Sequence, residues 1–348
     1  MYRYFLIIFT FITCPVFAQD YPFNDTNWWE RLVYEEKPVV KDFLGTDSAI
    51  IVISNRGKTG ESLRFMSEVR GDGELLYFFV YAYKGKWHVL KVKDLPAAVK
   101  HMPESNRDWV VYTEGMGKIF TAELNRGMMM NAQYKVNVIM LDYPSITTNK
   151  KQLGNYLFSI KNARASYKDY VPVLKTIKEQ HTQRKLGTGN MTLFFHSMGN
   201  YLMEQTVKKK QLQLLNDTVW ANNIILNAPC VPQHHHAKWL NKIQFSKNIY
   251  VHYNPEDRTL YWPELFNKKK QLGRRLRKPL SSNAHYVNFH PVVGGGHSYF
   301  LTLRGRTVLD SVSFKHYNTI LHGNSVDLSS KSYRPSSYRS IGVEILPD

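Results

Sequence analysis

Cysteine is scarce in this chain: Cys14 and Cys230 are the only two in 348 residues. Long apolar runs are missing as well, apart from the first eighteen residues. "MYRYFLIIFTFITCPVFA" has one charge, Arg3, ahead of an apolar segment from Phe5 to Phe17, with Val16 and Ala18 in the small-residue positions that precede a cleavage site. It is shorter than the ~20 apolar residues a bilayer span needs. It therefore reads as a secretory signal, with Gln19 as the new N-terminus; an uncleaved N-terminal anchor is the alternative. Cys14 leaves with the signal, so the mature chain keeps one thiol and forms no internal disulfide. Beyond the signal no stretch is long and apolar enough to cross a membrane. The expectation is an exported protein, secreted or periplasmic, without a transmembrane segment after signal removal.

Acidic residues are also in short supply. Lys and Arg number 46 against 28 Asp and Glu, a formal net charge of +18. That excess favours anionic partners such as nucleic acid, anionic lipid or acidic polysaccharide. No nucleic-acid motif accompanies it, so no specific nucleic-acid partner is expected. The densest stretch, "NKKKQLGRRLRKPL", carries Lys268, Lys269, Lys270, Arg274, Arg275 and Arg277. It reads either as a solvated basic face or as a patch that docks on an anionic envelope or glycan. His234, His235 and His236 stand in a row, but neighbours on a helix or strand point in different directions, so three in succession rarely close on one ion. The expectation is a polar lid segment, with no metal and no cofactor.

What the chain does have is apolar and aromatic mass, 43% and 14%, which suits a packed globule. Its length suits an α/β fold with insertions. From Asp20 to Lys93, runs such as "SAIIVISNR", "LLYFFVYAY" and "KWHVLKV" are divided by the turn signals "GDG" and "KGK", which predicts antiparallel opening strands. From Asp108 onward, "WVVYTEG", "VNVIMLDYPS", "MTLFFHS", "NNIILNAPC", "NIYVHYNPED" and "AHYVNFHPV" alternate with stretches of helical spacing. One such stretch, from Leu153 to Ile177, is expected to break or kink at Pro172. Buried strands alternating with helices mean a mostly parallel sheet with helices on both faces. Right-handed crossovers then gather the loops that follow the strands on one edge, where ligands bind. Those loops read "EGMG", "DYPS", "HSMGN", "APC", "NPED" and "GGGHSY", and together they hold a serine, acids and a histidine.

In "LFFHSMGNYLMEQ" an apolar strand stops at Ser197 and a helical pattern takes over. In a tight strand-to-helix turn the serine side chain is pushed outward. The next backbone N–H and the helix dipole then face whatever it attacks. Such a turn needs small residues, and Gly199 is one. An S-x-G after a strand also occurs as an ordinary turn. The segment His196-Ser197-Met198-Gly199-Asn200 resembles the nucleophile elbow of the α/β-hydrolases, a fold of esterases, lipases and related enzymes. Phe195 stands where that family places glycine or alanine.

The resemblance implies a triad in the chain order serine, acid, histidine. Ser197 is then the nucleophile, and His297 in "GGGHSYFL" is the base. Asp257 in "YVHYNPEDRTL" is the acid, with Glu256 as its nearest competitor and Cys230 in the fold's second acid slot. Read without the resemblance, His297 is a surface-loop histidine and Asp257 a helix N-cap. His285 and His290 lie in or beside a strand-like run and fit the base less well. The oxyanion hole would take the backbone N–H groups of Met198 and of Met116 in "EGMG", where Glu114 replaces the family's usual histidine. "VISNR" and "LDYPS" further resemble a poorly characterised bacterial branch of the family.

The organisation expected is a signal peptide at 1–18, an α/β-hydrolase domain over 19–322 and a poorly ordered Ser-rich tail over 323–348. The function implied is an exported serine hydrolase that cleaves an ester or other acyl bond of a small-molecule, lipid or glycan substrate. The alternative is a non-catalytic binding protein on the same scaffold.

Overall fold

The computed structural model describes residues 26–37, 49–60, 64–103, 106–303 and 308–348, and the signal expected at 1–18 lies outside them. The first six strands are β1 (Leu32–Glu35), β2 (Ala49–Ser54), β3 (Arg56–Lys58), β4 (Met66–Arg70), β5 (Leu76–Tyr83) and β6 (Lys86–Val92), followed by the short helix α1 (Leu95–Val99). An alternating run comes next. It comprises β7 (Trp109–Thr113), α2 (Phe120–Tyr134), β8 (Asn137–Asp142), α3 (Gln152–Ala165), α4 (Tyr167–Thr182), β9 (Met191–His196) and α5 (Asn200–Lys208). It continues through β10 (Ala221–Asn227), α6 (His236–Leu240), β11 (Ser246–Tyr253), α7 (Arg258–Asn267) and β12 (His285–Asn288). The last elements are α8 (His290–Val293), α9 (Ser311–Leu321), β13 (Tyr333–Pro335) and β14 (Val343–Ile345).

Twelve strands form one sheet in the order β1-β6-β5-β2-β8-β7-β9-β10-β11-β12-β14-β13, and β3 pairs with β4 separately. β2 is antiparallel to β5 and parallel to β8, so the antiparallel opening joins the parallel body at β2. β2, β7, β8 and β9 are buried at every residue, which is why they read as continuous apolar runs rather than alternating ones. The connection from β7 to β8 runs one way along the sheet; the connection from β8 to β9 returns past β7. Right-handed crossovers in opposite directions lie on opposite faces. Helix α2 therefore covers one face, while α3, α4 and α5 cover the other. The loops after β7 and β9 part at this reversal, where α/β sheets open a crevice.

Two expectations are corrected. The helical stretch breaks at Ser166, between α3 and α4, and α4 continues through Pro172. The Ser166 hydroxyl bonds back to the Asn162 carbonyl (2.8 Å), a local alternative to helix continuation. The Ser-rich segment after residue 322 is not a loose tail. It supplies β14, which pairs parallel with β12, and β13, which pairs antiparallel with β14. Ile341 and Ile345 are buried there, and Glu344 accepts from the Ser337 N–H at 3.0 Å and from Arg334 Nε at 2.7 Å.

The "SNR" and "DYPS" segments meet at the ends of β2 and β8. Arg56 and Asp142 form an ion pair at 2.9 Å with both side chains fully buried. Arg56 Nη2 also donates to the carbonyls of Tyr143 (2.9 Å) and Lys118 (3.2 Å). The Ser54 hydroxyl donates to the same carboxylate, and the Tyr170 hydroxyl donates to the Asp142 carbonyl. This network ties two strand ends to the segment that follows the "EGMG" loop. Removing one member of a buried pair leaves the other charge uncompensated, at a cost of about 3–5 kcal/mol. Asp142→Ala is therefore expected to lower unfolding free energy by about that amount in urea titrations. A loss within the range of an exposed substitution would show that Arg56 finds water or another partner instead.

Candidate active site

Ser197 sits where β9 gives way to a 3₁₀ turn and then α5, and its φ is +50°. A non-glycine residue in the left-handed region costs roughly 1–3 kcal/mol and persists only where its surroundings fix it. Here they do. The Ser197 carbonyl accepts from the Cys230 N–H and from Asn200 Nδ2, both at 3.0 Å. Asn200 Nδ2 also donates to the Phe195 carbonyl at 3.0 Å, closing the turn from inside. A Cβ at Gly199 would lie 2.6 Å from the Thr113 carbonyl oxygen, so only glycine lets the turn approach β7 this closely. Phe195 is fully buried between Thr113 and Leu226 in the sheet register. The tight turn forms without a small residue there, with Gly199 giving the clearance against β7.

The acid and the histidine meet as the resemblance implies. His297 Nδ1 lies 2.7 Å from Asp257 Oδ2, with the aspartate fully buried. Asp257 is also the N-cap of α7, its Oδ1 accepting from the Leu260 N–H at 2.8 Å. One carboxylate oxygen thus faces the histidine and the other caps the helix. Glu256 is exposed. Asn254 Nδ2 donates to the Gly294 and Gly296 carbonyls, each at 2.8 Å, and so binds the acid loop to the histidine loop. Arg274, counted in sequence with the basic surface run, is buried. Its Nη1 lies 2.7 Å from Glu264 Oε2 and its Nε donates to the Asp257 carbonyl at 3.2 Å. Lys268, Lys269, Lys270 and Arg277 remain exposed. Cys230 is buried, and burial, with the Asp257 charge nearby, raises its thiol well above its ordinary value.

The "EGMG" loop lies directly against the serine: a Cβ at Gly115 would stand 2.6 Å from Ser197 Cβ. Glu114 takes over the internal bonding of this loop. Its Oε1 accepts from the Gly115 N–H (2.8 Å), its Oε2 accepts from the Tyr112 hydroxyl (2.5 Å), and Arg126 Nε is 3.4 Å away. Burial alone would raise this carboxyl, but the Lys118 and Arg126 charges and the Gly115 N–H hold it below the usual range. Lys118 Nζ donates to the Met116 carbonyl at 3.1 Å. The Met116 N–H makes no hydrogen bond among the described residues. Met198 opens the helix that follows Ser197, where N–H groups lack intrahelical acceptors. Among the described residues the Ser197 hydroxyl makes no hydrogen bond to His297.

Sequence reasoning missed a set of buried polar residues behind the loops. His196 Nδ1 is 3.1 Å from Asn227 Nδ2, and its Nε2 is 3.3 Å from the Ser298 hydroxyl and 3.6 Å from Glu114 Oε1. The His196 ring packs on His297, with centroids 4.8 Å apart. Asn227 Oδ1 accepts from the Tyr317 hydroxyl at 2.5 Å and lies 3.2 Å from His252 Nδ1. His252 Nε2 and His316 Nε2 are 3.0 Å apart, and His316 Nδ1 is 2.8 Å from the Tyr333 hydroxyl. Burial lowers the imidazole of His196 and of His252 well below its ordinary value and that of His316 to about 3. The available signal was a polar residue inside a buried strand: His196, Asn227 and His252 each interrupt an apolar run. Of the histidine triplet, His236 turns inward to the Gln233 carbonyl (2.8 Å) and the Tyr286 hydroxyl (3.0 Å), while His234 and His235 are exposed.

The family model described as "Alpha/beta hydrolase of unknown function" (DUF900) matches residues 94–283. The chain belongs to this family. The match takes in Ser197 and Asp257 and ends before His297. The solved structure of MGS-M1, an α/β-hydrolase enzyme from a Medee basin deep-sea metagenome library, is similar at 14% identity. The likeness covers 69% of this chain and 84% of that one, with a TM-score of 0.30. No curated protein matches the chain.

The buried imidazoles make acid sensitivity predictable. His196, His252 and His316 stay neutral in the folded state, whereas an unfolded histidine protonates near ~6.5. Below that pH the unfolded state binds more protons, so stability falls as pH falls. His236 and His285, also lowered by burial, act in the same direction. Glu123 opposes them. Burial, with the Asp142 and Glu114 charges, raises its carboxyl, so the folded state keeps a proton that the unfolded state has lost above ~4.5. For His196, His252, His316 and Glu123, three protons against one leave a loss of up to about 3 kcal/mol per pH unit below ~6.5. Urea titrations at pH 7, 6 and 5 check this, and unchanged stability down to pH 5 would contradict it.

Proposed function

We propose that this chain is an exported serine hydrolase that cleaves an ester or another acyl bond. The observation that carries the reading is a serine held at φ +50° in a strand-to-helix turn, on the same sheet edge as a histidine hydrogen-bonded to a buried aspartate at 2.7 Å. In the reaction, Ser197 Oγ attacks the carbonyl carbon while His297 Nε2 takes the hydroxyl proton. Asp257 Oδ2 accepts from His297 Nδ1–H, which fixes the tautomer and stabilises the imidazolium. The tetrahedral oxyanion is received by the N–H groups of Met198 and Met116. Collapse expels the leaving group, which takes the proton from His297 and leaves an acyl group on Ser197. Water then attacks that ester by the same proton route in reverse. The substrate is a small-molecule, lipid or glycan acyl compound, and no cofactor takes part.

The alternative, a binding protein on a hydrolase scaffold, is favoured by one observation: the Ser197 hydroxyl has no hydrogen bond to His297 among the described residues. A fluorophosphonate probe separates the two readings. Mass spectrometry of the exported protein is expected to find a chain that begins at Gln19 and carries one adduct on Ser197, with no adduct in Ser197→Ala. Asp257→Asn should cut turnover of a short p-nitrophenyl ester by as much as about 10⁴-fold, and Glu256→Gln should leave it near wild type. A folded, unlabelled wild type would favour the binding protein.

The exposed cations of the segment between acid and histidine give the second part of the proposal, contact with an anionic envelope or glycan. The attraction is Coulombic and solvent-exposed. It must weaken as the Debye length falls from about 10 Å to about 3 Å between 0.1 M and 1 M salt. Binding to anionic vesicles should drop over that range and on neutralising Lys268, Lys269, Lys270 and Arg277, while small-ester turnover is unaffected. Equal vesicle binding at both salt concentrations would remove the proposal.

A further inference from the structure

The hydrogen bonds behind the loops assign a direction to one another. Tyr317 donates to Asn227 Oδ1, so that oxygen is an acceptor and the His252 Nδ1 beside it must carry a hydrogen to be compatible. His252 Nε2 is then unprotonated and accepts from His316 Nε2–H at 3.0 Å. That leaves His316 Nδ1 to accept from the Tyr333 hydroxyl at 2.8 Å. At the other end, Asn227 Nδ2 can only donate, so His196 Nδ1 accepts and His196 carries its hydrogen on Nε2. That N–H faces the Ser298 hydroxyl of the histidine loop and Glu114 Oε1 of the "EGMG" loop.

We propose that His196 is a positioning residue of the active site: held as the neutral Nε2–H tautomer through Asn227, it directs that N–H between the loop carrying Glu114 and the loop carrying Ser298 beside Ser197, and it presents an uncharged ring to His297. This rests on the hydrolase reading above. During acyl transfer His297 becomes an imidazolium, and a second cation 4.8 Å from it would oppose that proton. The groups facing His196 are Glu114 after β7, Asn227 at the end of β10, and His297, Ser298 and Phe300 in the histidine loop. The Arg126 and Lys118 charges also act on it, and both disfavour a cation there. Only Glu114 favours one. The amide of Asn227, which cannot accept a hydrogen at Nδ2, keeps the ring from answering that carboxylate by taking a second proton.

Asn227→Asp tests this directly. A carboxylate at 227 can still accept from Tyr317 and His252, so its neighbours keep their bonds, but it accepts from His196 Nδ1 instead of donating to it. His196 then lies between two carboxylates and becomes an imidazolium. With short p-nitrophenyl esters as the probe, the acid limb of kcat/KM is expected to move down by about 1–2 pH units, the shift a like charge at this distance produces. Turnover should fall by up to about 100-fold, the cost of a small displacement of reacting groups. His196→Gln keeps a donor near the Nε2 position and should retain more activity than His196→Phe, which keeps only the ring. Long-range ¹⁵N spectra of the full chain, with His196 assigned from the Gln variant, should show Nε2–H and bare Nδ1 at pH 7 in the wild type. An acid limb unmoved in Asn227→Asp, or an Nδ1–H or cationic His196 in the wild type, would overturn the proposal. If the wild type proves to have no hydrolase activity, the hydrolase reading fails, and the ¹⁵N spectra alone decide whether His196 is held as the neutral Nε2–H tautomer.

Discussion

The left-handed backbone at Ser197 is the constraint around which this edge of the sheet is arranged. A strained residue stays strained only when everything beside it is better placed with it than without it. Thr113 and Glu114 present carbonyl oxygens so close to Gly199 that no Cβ fits, and Gly115 is pressed on the serine side chain. The Cys230 N–H and the Asn200 amide hold the Ser197 carbonyl from two further directions. Loops after three adjacent strands thus share one turn, and none can shift alone. The reversal of strand order brings this about, because the chain leaves β7 toward one face and β9 toward the other, so the loops after these neighbouring strands meet at the crevice between them.

Under that turn lies a group of buried charges that few folds would tolerate without a use. Glu114, Glu123 and Asp142 share the space with Arg56, Lys118 and Arg126, all essentially out of solvent. Burying an ion pair is often no more favourable than packing hydrophobic residues in its place, so stability alone is a weak reason for six such groups. Their geometry gives a better one. Arg56 holds the Lys118 carbonyl just after the "EGMG" segment and the Tyr143 carbonyl after β8, Glu114 holds the Gly115 N–H, and Lys118 holds the Met116 carbonyl. Fixed dipoles around a loop that would receive an oxyanion are worth more in a dry setting than in water, because they need not reorganise. Glu123 kept protonated leaves three cations against two carboxylates, a positive balance beneath the place where negative charge would develop.

Burial also sharpens the surface charge. Among the described residues seven acids are buried, Glu114, Glu123, Asp142, Glu204, Asp257, Glu264 and Glu344, but only five cations, Arg56, Lys118, Arg126, Lys178 and Arg274. The exterior is therefore more basic than the net charge of +18 by itself implies. The acids left outside are partly used in pairs, as Glu179 with Lys175 and Asp217 with Lys178. Lys161 and Lys168 on one side of α5, and Lys210, Lys238 and Lys242 on the other, line shallow clefts. The basic character thus extends beyond the run after α7 to these clefts.

The parallel sheet was legible because its strands are buried on both sides and so read as unbroken apolar runs. The elbow was legible because a serine, a glycine and a change of period coincide within three residues. In the acid loop the sequence pointed to Asp257 ahead of Glu256, and the two differ in surroundings: Glu256 is exposed, while both oxygens of Asp257 are engaged. The C-terminal strands were misread because serine-rich composition describes exposure on average, while two isoleucines and a glutamate that finds partners suffice to dock a short segment. Pro172 does not break the helix, because a proline lowers helix stability without saying whether packing outweighs it, and Tyr170, Val171, Val173 and Leu174 around it are all buried. The histidine chain was the least legible of all. Each of its members looks like a single polar residue spoiling an apolar strand or helix, and a lone buried histidine has no specific meaning. What gives it meaning is that β9, β10, β11 and α9 each place one such residue at a level where the next can reach it. That is a fact of register between strands far apart in the chain, and pairing register is set by the whole sheet rather than by any one segment.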